Sequence, residues 1–167
     1  MTARPESSPL GSLCAGDVMT TPVITVAPDA TLRAVADLLT HHRIGSAPVV
    51  DGEGVVVGLV SEYDLLARSG TTVADVMTTA VVTVSEDTAI EDVRHLLVDR
   101  RLRHLPVLSG GRLVGIVSRG DVVALMATEW VCRVCGEPVR GERPSQQCPK
   151  CGAPAEQFEL QEQPPGA

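Results

Sequence analysis

Aromatic residues are almost missing from this chain: one Phe, one Tyr and one Trp in 167 residues. Any core must therefore be aliphatic, built from Val, Leu, Ile and Ala, and stacking of bases along a single-stranded nucleic acid is not expected. Lysine is as scarce, with Lys150 the sole example, and 14 basic residues face 21 acidic ones for a formal charge of −7. That balance argues against binding a phosphate backbone, where affinity comes from many Lys and Arg displacing counterions. No apolar run approaches the roughly 18 residues that span a bilayer. The first dozen residues, with Arg4, Glu6 and two prolines, also lack the apolar stretch of a secretory signal. The expectation is a cytoplasmic chain with no nucleic-acid or membrane partner. What is present is aliphatic mass, 44% hydrophobic, enough for one compact domain and an appendage.

The chain repeats itself. Asp17-Val18-Met19-Thr20-Thr21 recurs as Asp75-Val76-Met77-Thr78-Thr79, an offset of 58 that also pairs Asp29 with Asp87, Leu38-Leu39 with Leu96-Leu97, Arg43 with Arg101, and Pro48-Val49 with Pro106-Val107. The offset then drops to 57, so that Gly58-Leu59-Val60-Ser61 meets Gly115-Ile116-Val117-Ser118 and Asp64 meets Asp121. One supersecondary unit has been duplicated, with a single deletion in one copy.

Within the first copy, Val23–Val26 reads as a short β-branched strand, and Leu32, Val35, Ala36, Leu38 and Leu39 fall at helical spacing. Ala47–Val50 and Val55–Val60 are two apolar runs joined by Asp51-Gly52-Glu53-Gly54, a hairpin composition, and a helix follows over Glu62–Ala67. The second copy predicts strand Val81–Val84, helix Ala89–Arg100, a hairpin from Leu105 to Val117 around Ser109-Gly110-Gly111, and helix Gly120–Thr128. Each unit is β-α-β-β-α. A single unit cannot bury the apolar face of its short sheet, so the two should pack together with pseudo-two-fold symmetry as one α/β domain. The expected boundaries are a mobile 1–12, repeats at 13–69 and 73–128 joined by Ser69-Gly70-Thr71-Thr72, a small module at 129–160, and a mobile 161–167.

Cys132-Arg-Val-Cys135 and Cys148-Pro-Lys-Cys151 lie in that module. Each Cys-x-x-Cys turn can bring two sulfurs to one ion, and four thiolates suit zinc or iron. Two disulfides are the alternative, disfavoured by a reducing compartment. Spacing does not separate a structural zinc from a redox iron, and a site closed by four ligands leaves no position for hydrolytic chemistry. Cys14 stands outside this set and reads as a small apolar residue. His41, His42, His95 and His104 show no ligand spacing with the cysteines, and three of the four read as surface residues.

A second pattern is Ser61-Glu-Tyr-Asp64 and Ser118-Arg-Gly-Asp121, each where a strand runs into a helix. Ser at an N-cap with an acid three residues on is a capping-box variant. The same geometry also offers free amides to a phosphate and a carboxylate to ribose hydroxyls. Both readings stand on the residues alone.

Asp17 to Met126 resembles a tandem pair of cystathionine β-synthase (CBS) domains, a Bateman module, through Asp-Val-Met-Thr before a short Thr-Val strand, Pro-Val after the first helix, and Gly-x-x-Ser-x-x-Asp in both copies. Glu129 to Leu160 resembles the short rubredoxin-like module of rubrerythrins, through Trp130-Val-Cys132-Arg-Val-Cys135-Gly136, Cys148-Pro149-Lys-Cys151-Gly152 and Phe158. It departs at Glu137, where rubredoxins usually carry an aromatic. The first resemblance implies two related clefts for an adenosine ligand such as AMP, ADP, ATP or S-adenosylmethionine. One cleft would use Met19, Thr20, Ile24, Ile44 and Gly45 with Ser118 and Asp121. The mirror cleft would use Met77, Thr78, Val82 and Leu102 with Ser61 and Asp64. Because guanidinium groups match phosphate oxygens, Arg103, His104, Ser118, Arg119 and Asp121 together make the expected nucleotide site, with a solvated helix end as the alternative for those arginines. Glu62 would repel a phosphate in the other cleft.

No nucleophile with a base, glycine-rich dinucleotide fingerprint or open metal site emerges, so no enzyme activity is expected. The sequence points to a sensor that binds an adenine nucleotide in the repeats and a metal in the terminal module, signals to an unidentified target protein, and associates side by side as a homodimer. The rival is an iron electron carrier whose repeats serve as a docking scaffold.

Overall fold

The computed structural model describes residues 13–127, 129–140 and 143–161; of the expected mobile ends, 1–12 and 161–167, only Gln161 is described, and it closes a strand. The first repeat opens with a one-turn helix α1 (Ala15–Val18), followed by α2 (Leu32–His42). Thr31 caps α2 by accepting the Ala34 amide at 3.2 Å, and Val35 and Leu39 form its buried stripe. Arg43, in the left-handed region at φ 53°, ends it. Strands β1 (Ser46–Val50) and β2 (Val56–Ser61) pair antiparallel, and α3 (Glu62–Ala67) follows. Asp51 shapes the intervening turn, its Oδ1 accepting the Glu53 and Val55 amides at 2.9 and 3.0 Å.

The second repeat runs α4 (Val73–Val76), β3 (Val84–Ser85), α5 (Ile90–Asp99), β4 (His104–Ser109), β5 (Arg112–Ser118) and α6 (Arg119–Ala127). Its hairpin closes on two residues, Gly110 at φ 57° and Gly111 at φ 80°, with Ser109 paired to Arg112. Two consecutive positive φ values are what a tight type I′ turn demands. This turn is shorter than that around Asp51, and so accounts for the offset dropping from 58 to 57.

The predicted strands at Val23–Val26 and Val81–Val84 form only in part. Val26 makes an isolated parallel bridge to Val49, while Thr20 bridges Ile116 of the other repeat. In the second copy Thr78 bridges Leu59 across the pair, and only Val84 and Ser85 join β4 of their own repeat. The chain thus touches the other repeat's sheet at Thr20 and Thr78, just before each segment, and joins its own repeat's sheet only at the segment's end. Periodicity also missed α1 and α4, since a single turn is too short to show a period.

These two helices exchange partners. Leu13 and Ala15 are buried with Ile90, Val93, Leu105 and Val117 in the core of the second repeat. Val73 and Val76 are buried with Val35, Leu39, Val49 and Val60 in the first. The exchange is fastened by backbone bonds, Ala15 N–H to Thr88 O and Ile90 N–H to Leu13 O on one side, Val73 N–H to Ala30 O and Ala74 N–H to Pro28 O on the other. Cys14, read from sequence as a plain apolar residue, is the N-cap of α1. It takes the place of Thr72 in the other copy, and its thiol and amide both donate to Asp17 Oδ2. The thiol's pKa is raised, chiefly because it donates to that carboxylate.

The C-terminal module places β6 (Glu129–Cys132) between β7 (Pro138–Arg140) and β8 (Phe158–Gln161), all antiparallel, with a 3₁₀ turn at Ala155–Gln157. Its buried residues are Cys132, Cys148, Ala153 and Phe158, with Trp130, Cys135 and Val139 packed around them. Arg143 of this module lies 3.7 Å from Asp17 of α1. Among the described residues no helix is long and apolar enough to cross a membrane.

Candidate functional site

Both Ser-x-x-Asp segments adopt the capping box. Ser61 donates its amide (2.9 Å) and hydroxyl (2.8 Å) to Asp64 Oδ2, and Ser118 donates its amide (2.7 Å) and hydroxyl (2.8 Å) to Asp121 Oδ2. Each serine oxygen in turn accepts the aspartate amide at 3.3 Å. The second carboxylate oxygens differ. Asp64, 4% exposed, has Oδ1 3.6 Å from Arg68, and Arg68 itself donates to the carbonyls of Val76 and Met77. Asp121 Oδ1 takes no hydrogen bond or ion pair among the described residues, which leaves it able to accept from a ligand.

Two clefts lie between the repeats. The first, about 180 Å³, is lined by Thr20, Pro22, Val23, Ile24, Ile44, Ser46, Pro48, His104, Ile116, Ser118 and Asp121. The second, about 500 Å³, is lined by Gly45, Ser46, Leu59, Ser61, Glu62, Tyr63, Asp64, Arg68, Thr78 and Arg101 to His104. Of the residues expected in the first cleft, Thr20, Ile24, Ile44, His104, Ser118 and Asp121 are brought together. In the second, Thr78, Leu102, Ser61 and Asp64 are.

Arg103 and Arg119 do not share the cavity lining of Ser118 and Asp121, although both act on His104 beside them. Arg103 lines the second cleft together with Leu102, whereas Ile44, the repeat mate of Leu102, lines the first. Arg119 lines neither cleft, and its amide donates to the Arg103 carbonyl at 3.2 Å. Gly45 lines the second cleft rather than the first. Met19, Met77 and Val82 line neither: Met19 and Val82 pack against the second core and Met77 against the first.

Sequence reasoning missed the wall between the clefts. Ser46 Oγ and His104 Nδ1 share a hydrogen bond of 2.8 Å, and both residues line both cavities. They are 58 apart, so the repeat offset itself marks them as symmetry mates meeting at the pseudo-two-fold axis. The other three histidines are exposed, as expected. Burial holds His104 below the ordinary histidine value; Asp121 opposes this, and Arg103 and Arg119 reinforce it. A depressed folded-state pKa means the native state binds fewer protons than the unfolded chain. Its contribution is therefore complete above the ordinary value of 6.5 and is lost as pH falls below it. His104→Asn should flatten the fall of stability that begins as pH drops below 6.5 in urea melts. An unchanged slope there would remove His104 from the account. Asp17 and Asp75, whose carboxyls are held low chiefly by the amides of Cys14 and Thr72, titrate in a lower window.

In the terminal module, the Sγ atoms of Cys132, Cys135, Cys148 and Cys151 all lie within 4.8 Å of one another. Cys132 to Cys151 is 3.7 Å and Cys135 to Cys148 is 3.5 Å. Four sulfurs about 2.3 Å from a tetrahedral ion stand about 3.8 Å apart, so the donor set fits one metal ion. Both knuckles turn on a left-handed glycine, Gly136 at φ 75° and Gly152 at φ 74°, whose amides donate to the carbonyls of Cys132 and Cys148. Without metal the thiols are unlike. Amides of Cys151 and Lys150 hold Cys148 down to about 7. The Glu137 amide pulls Cys135 down, but desolvation and the neighbouring thiols push it up to about 12. Glu137, at the position where rubredoxins usually carry an aromatic, pairs with Lys150 at 3.1 Å and so ties one knuckle to the other.

A duplicated mixed α/β body with one crevice on each side of its axis, joined to a four-thiolate ribbon, defines the class of protein. The CBS domain family model matches twice, over residues 15–70 and 73–128, and the rubrerythrin rubredoxin-like domain matches residues 130–159. The chain belongs to the CBS-domain family. The CBS domain-containing protein YhcV of Bacillus subtilis is 35% identical over 113 residues, 64% of this chain and 80% of that protein. The crystal structure of CBSX2 in complex with AMP, a protein of Arabidopsis thaliana, is similar with a TM-score of 0.65 and 34% identity, covering 68% of this chain and 95% of that one. The CBS domain pair of MJ0100 in complex with 5′-methylthioadenosine and S-adenosyl-L-methionine has a TM-score of 0.65 and 29% identity, with coverage of 68% and 95%.

Proposed function

We propose that this chain is a regulatory sensor that binds adenosine ligands in the clefts between its repeats and one metal ion in its terminal module. One observation carries the reading: Asp121 Oδ1 is unengaged among the described residues and borders an apolar wall of Val23, Ile24, Ile44, Pro48 and Ile116. The wall suits a purine face and the carboxylate suits ribose hydroxyls. The adenosine compounds bound to CBSX2 and MJ0100 support the same ligand class.

Binding can act at a distance only if the ligand prefers one packing of the repeats over another. The exchanged helices supply the path: Thr20, in the first cleft, is hydrogen-bonded to Ile116 and directly follows α1 and Met19, which are packed in the opposite core. The same α1 meets the terminal module through Asp17 and Arg143. In that module Cys132, Cys135, Cys148 and Cys151 hold the ion. Zinc would supply a cross-link, and iron would add one-electron chemistry.

Calorimetric titration with AMP, ATP, adenosine and S-adenosylmethionine tests the reading. Wild type should bind at least one of them with sub-millimolar affinity, and Asp121→Asn should weaken an adenosine ligand roughly tenfold or more through loss of a charge-assisted bond. Wild-type protein that binds none of the four would overturn the sensor.

A further inference from the structure

The two clefts are symmetric in backbone and unlike in charge. At the position that gives the second cleft Arg103, the first repeat has Gly45, 58 residues earlier. The second cleft also carries Arg101 at its edge. Of its acids, Asp64 is already paired with Arg68, with its Oδ2 committed to Ser61, so Glu62 is left to balance Arg101 and Arg103, whose guanidinium groups make no ion pair among the described residues. The surplus is positive, in a cavity of about 500 Å³, which lies within the roughly 300–1,000 Å³ of typical small-molecule sites. The first cleft is about 180 Å³, and among the described residues its only ionisable lining groups are Asp121 and His104. Burial disfavours the imidazolium form of His104. Arg119 acts on His104 but lines neither cavity. A phosphate placed in the first cleft would meet a carboxylate without a lining cation, and like charges at short range in a partly desolvated crevice repel strongly.

We propose that the clefts divide adenosine ligands by charge: the second, through Arg101 and Arg103, takes a phosphate-bearing nucleotide, and the first takes a phosphate-free nucleoside. This rests on the sensor reading above and adds which chemistry each cleft selects. It reverses the expectation that Ser118 and Asp121 mark the phosphate site. Guanidinium forks select phosphate by paired hydrogen bonds, and the first cleft offers none.

The test uses the full chain and two probes, AMP and adenosine, titrated separately and then together. The double variant Arg101→Gln, Arg103→Gln changes two exposed side chains, so folding is not at issue. It should weaken AMP tenfold or more and leave adenosine within twofold. Ile24→Trp, which fills the first cleft, should do the converse. Saturating adenosine should leave AMP binding in place. AMP affinity unchanged by the double variant, or full competition between the two probes, overturns the charge division while leaving the sensor intact. Failure of both probes to bind wild type overturns the two together.

Discussion

Replacing Gly115 by Val is expected to cost about 3 kcal/mol, the upper end of what overpacking removes, or roughly 6–12 °C of melting temperature for a chain of this size. A Cβ at Gly115 would stand 2.9 Å from the Cβ of Met19 and closer still to its Cγ and Sδ. Met19 comes from the other repeat and is packed against this core, so the clash cannot be relieved by rotating a free side chain. Combining the substitution with Met19→Ala should recover part of the loss, giving a favourable coupling of about 1 kcal/mol or more in a double-mutant cycle. Strict additivity would show that the pair is not in contact. The related site, Gly58 under Met77, has the Thr78 carbonyl 3.2 Å away as well. The same glycine strand continues into Ile116, which lines the first cleft, so adenosine binding should weaken alongside stability.

Removing the metal should unfold the terminal module and spare the repeats. Two of its four fully packed core residues, Cys132 and Cys148, are ligands; a core that small does not hold without the ion, whose binding in such sites is worth on the order of 10–16 kcal/mol. Trp130 is the sole tryptophan and sits on β6 beside this core, so its fluorescence reports the module alone. A strong chelator, or Cys148→Ser, should shift Trp130 emission to the red while the circular dichroism of the repeats persists. Unchanged emission from protein shown to be metal-free would refute a structural role. The same preparation identifies the ion: thiolate-to-iron absorption gives a red solution, and zinc a colourless one.

Much of this was legible because a duplication is a comparison carried within one chain. The repeat, offset by 58 and then 57, exposed both hairpins, both principal helices and both Ser-x-x-Asp caps, and Cys-x-x-Cys spacing brought out the four ligands that the fold gathers within 4.8 Å. Two kinds of feature stayed hidden. Val23–Val26 has strand composition, yet only Val26 pairs, with Val49, while Thr20 just before it bridges Ile116 of the other repeat, and composition cannot say which sheet an edge residue will join. Arg103 was grouped with Ser118 and Asp121 because all three lie in the second copy. The pseudo-two-fold instead sets Arg103 across from the first copy's cap, beside Leu102, which sequence reasoning had already placed there. The Ser46–His104 bond was readable in principle, since two residues one repeat apart can meet only on the axis.

The exchange of α1 and α4 has a consequence for how such a protein can be divided. Severed near Gly70, neither half carries the turn that seals its own interior, and each would be left with an apolar socket that only a second molecule could fill. The connector is thus the element that makes closure an intramolecular event, at an effective concentration no separate pair of fragments reaches, and it keeps an arrangement suited to domain swapping inside a single chain.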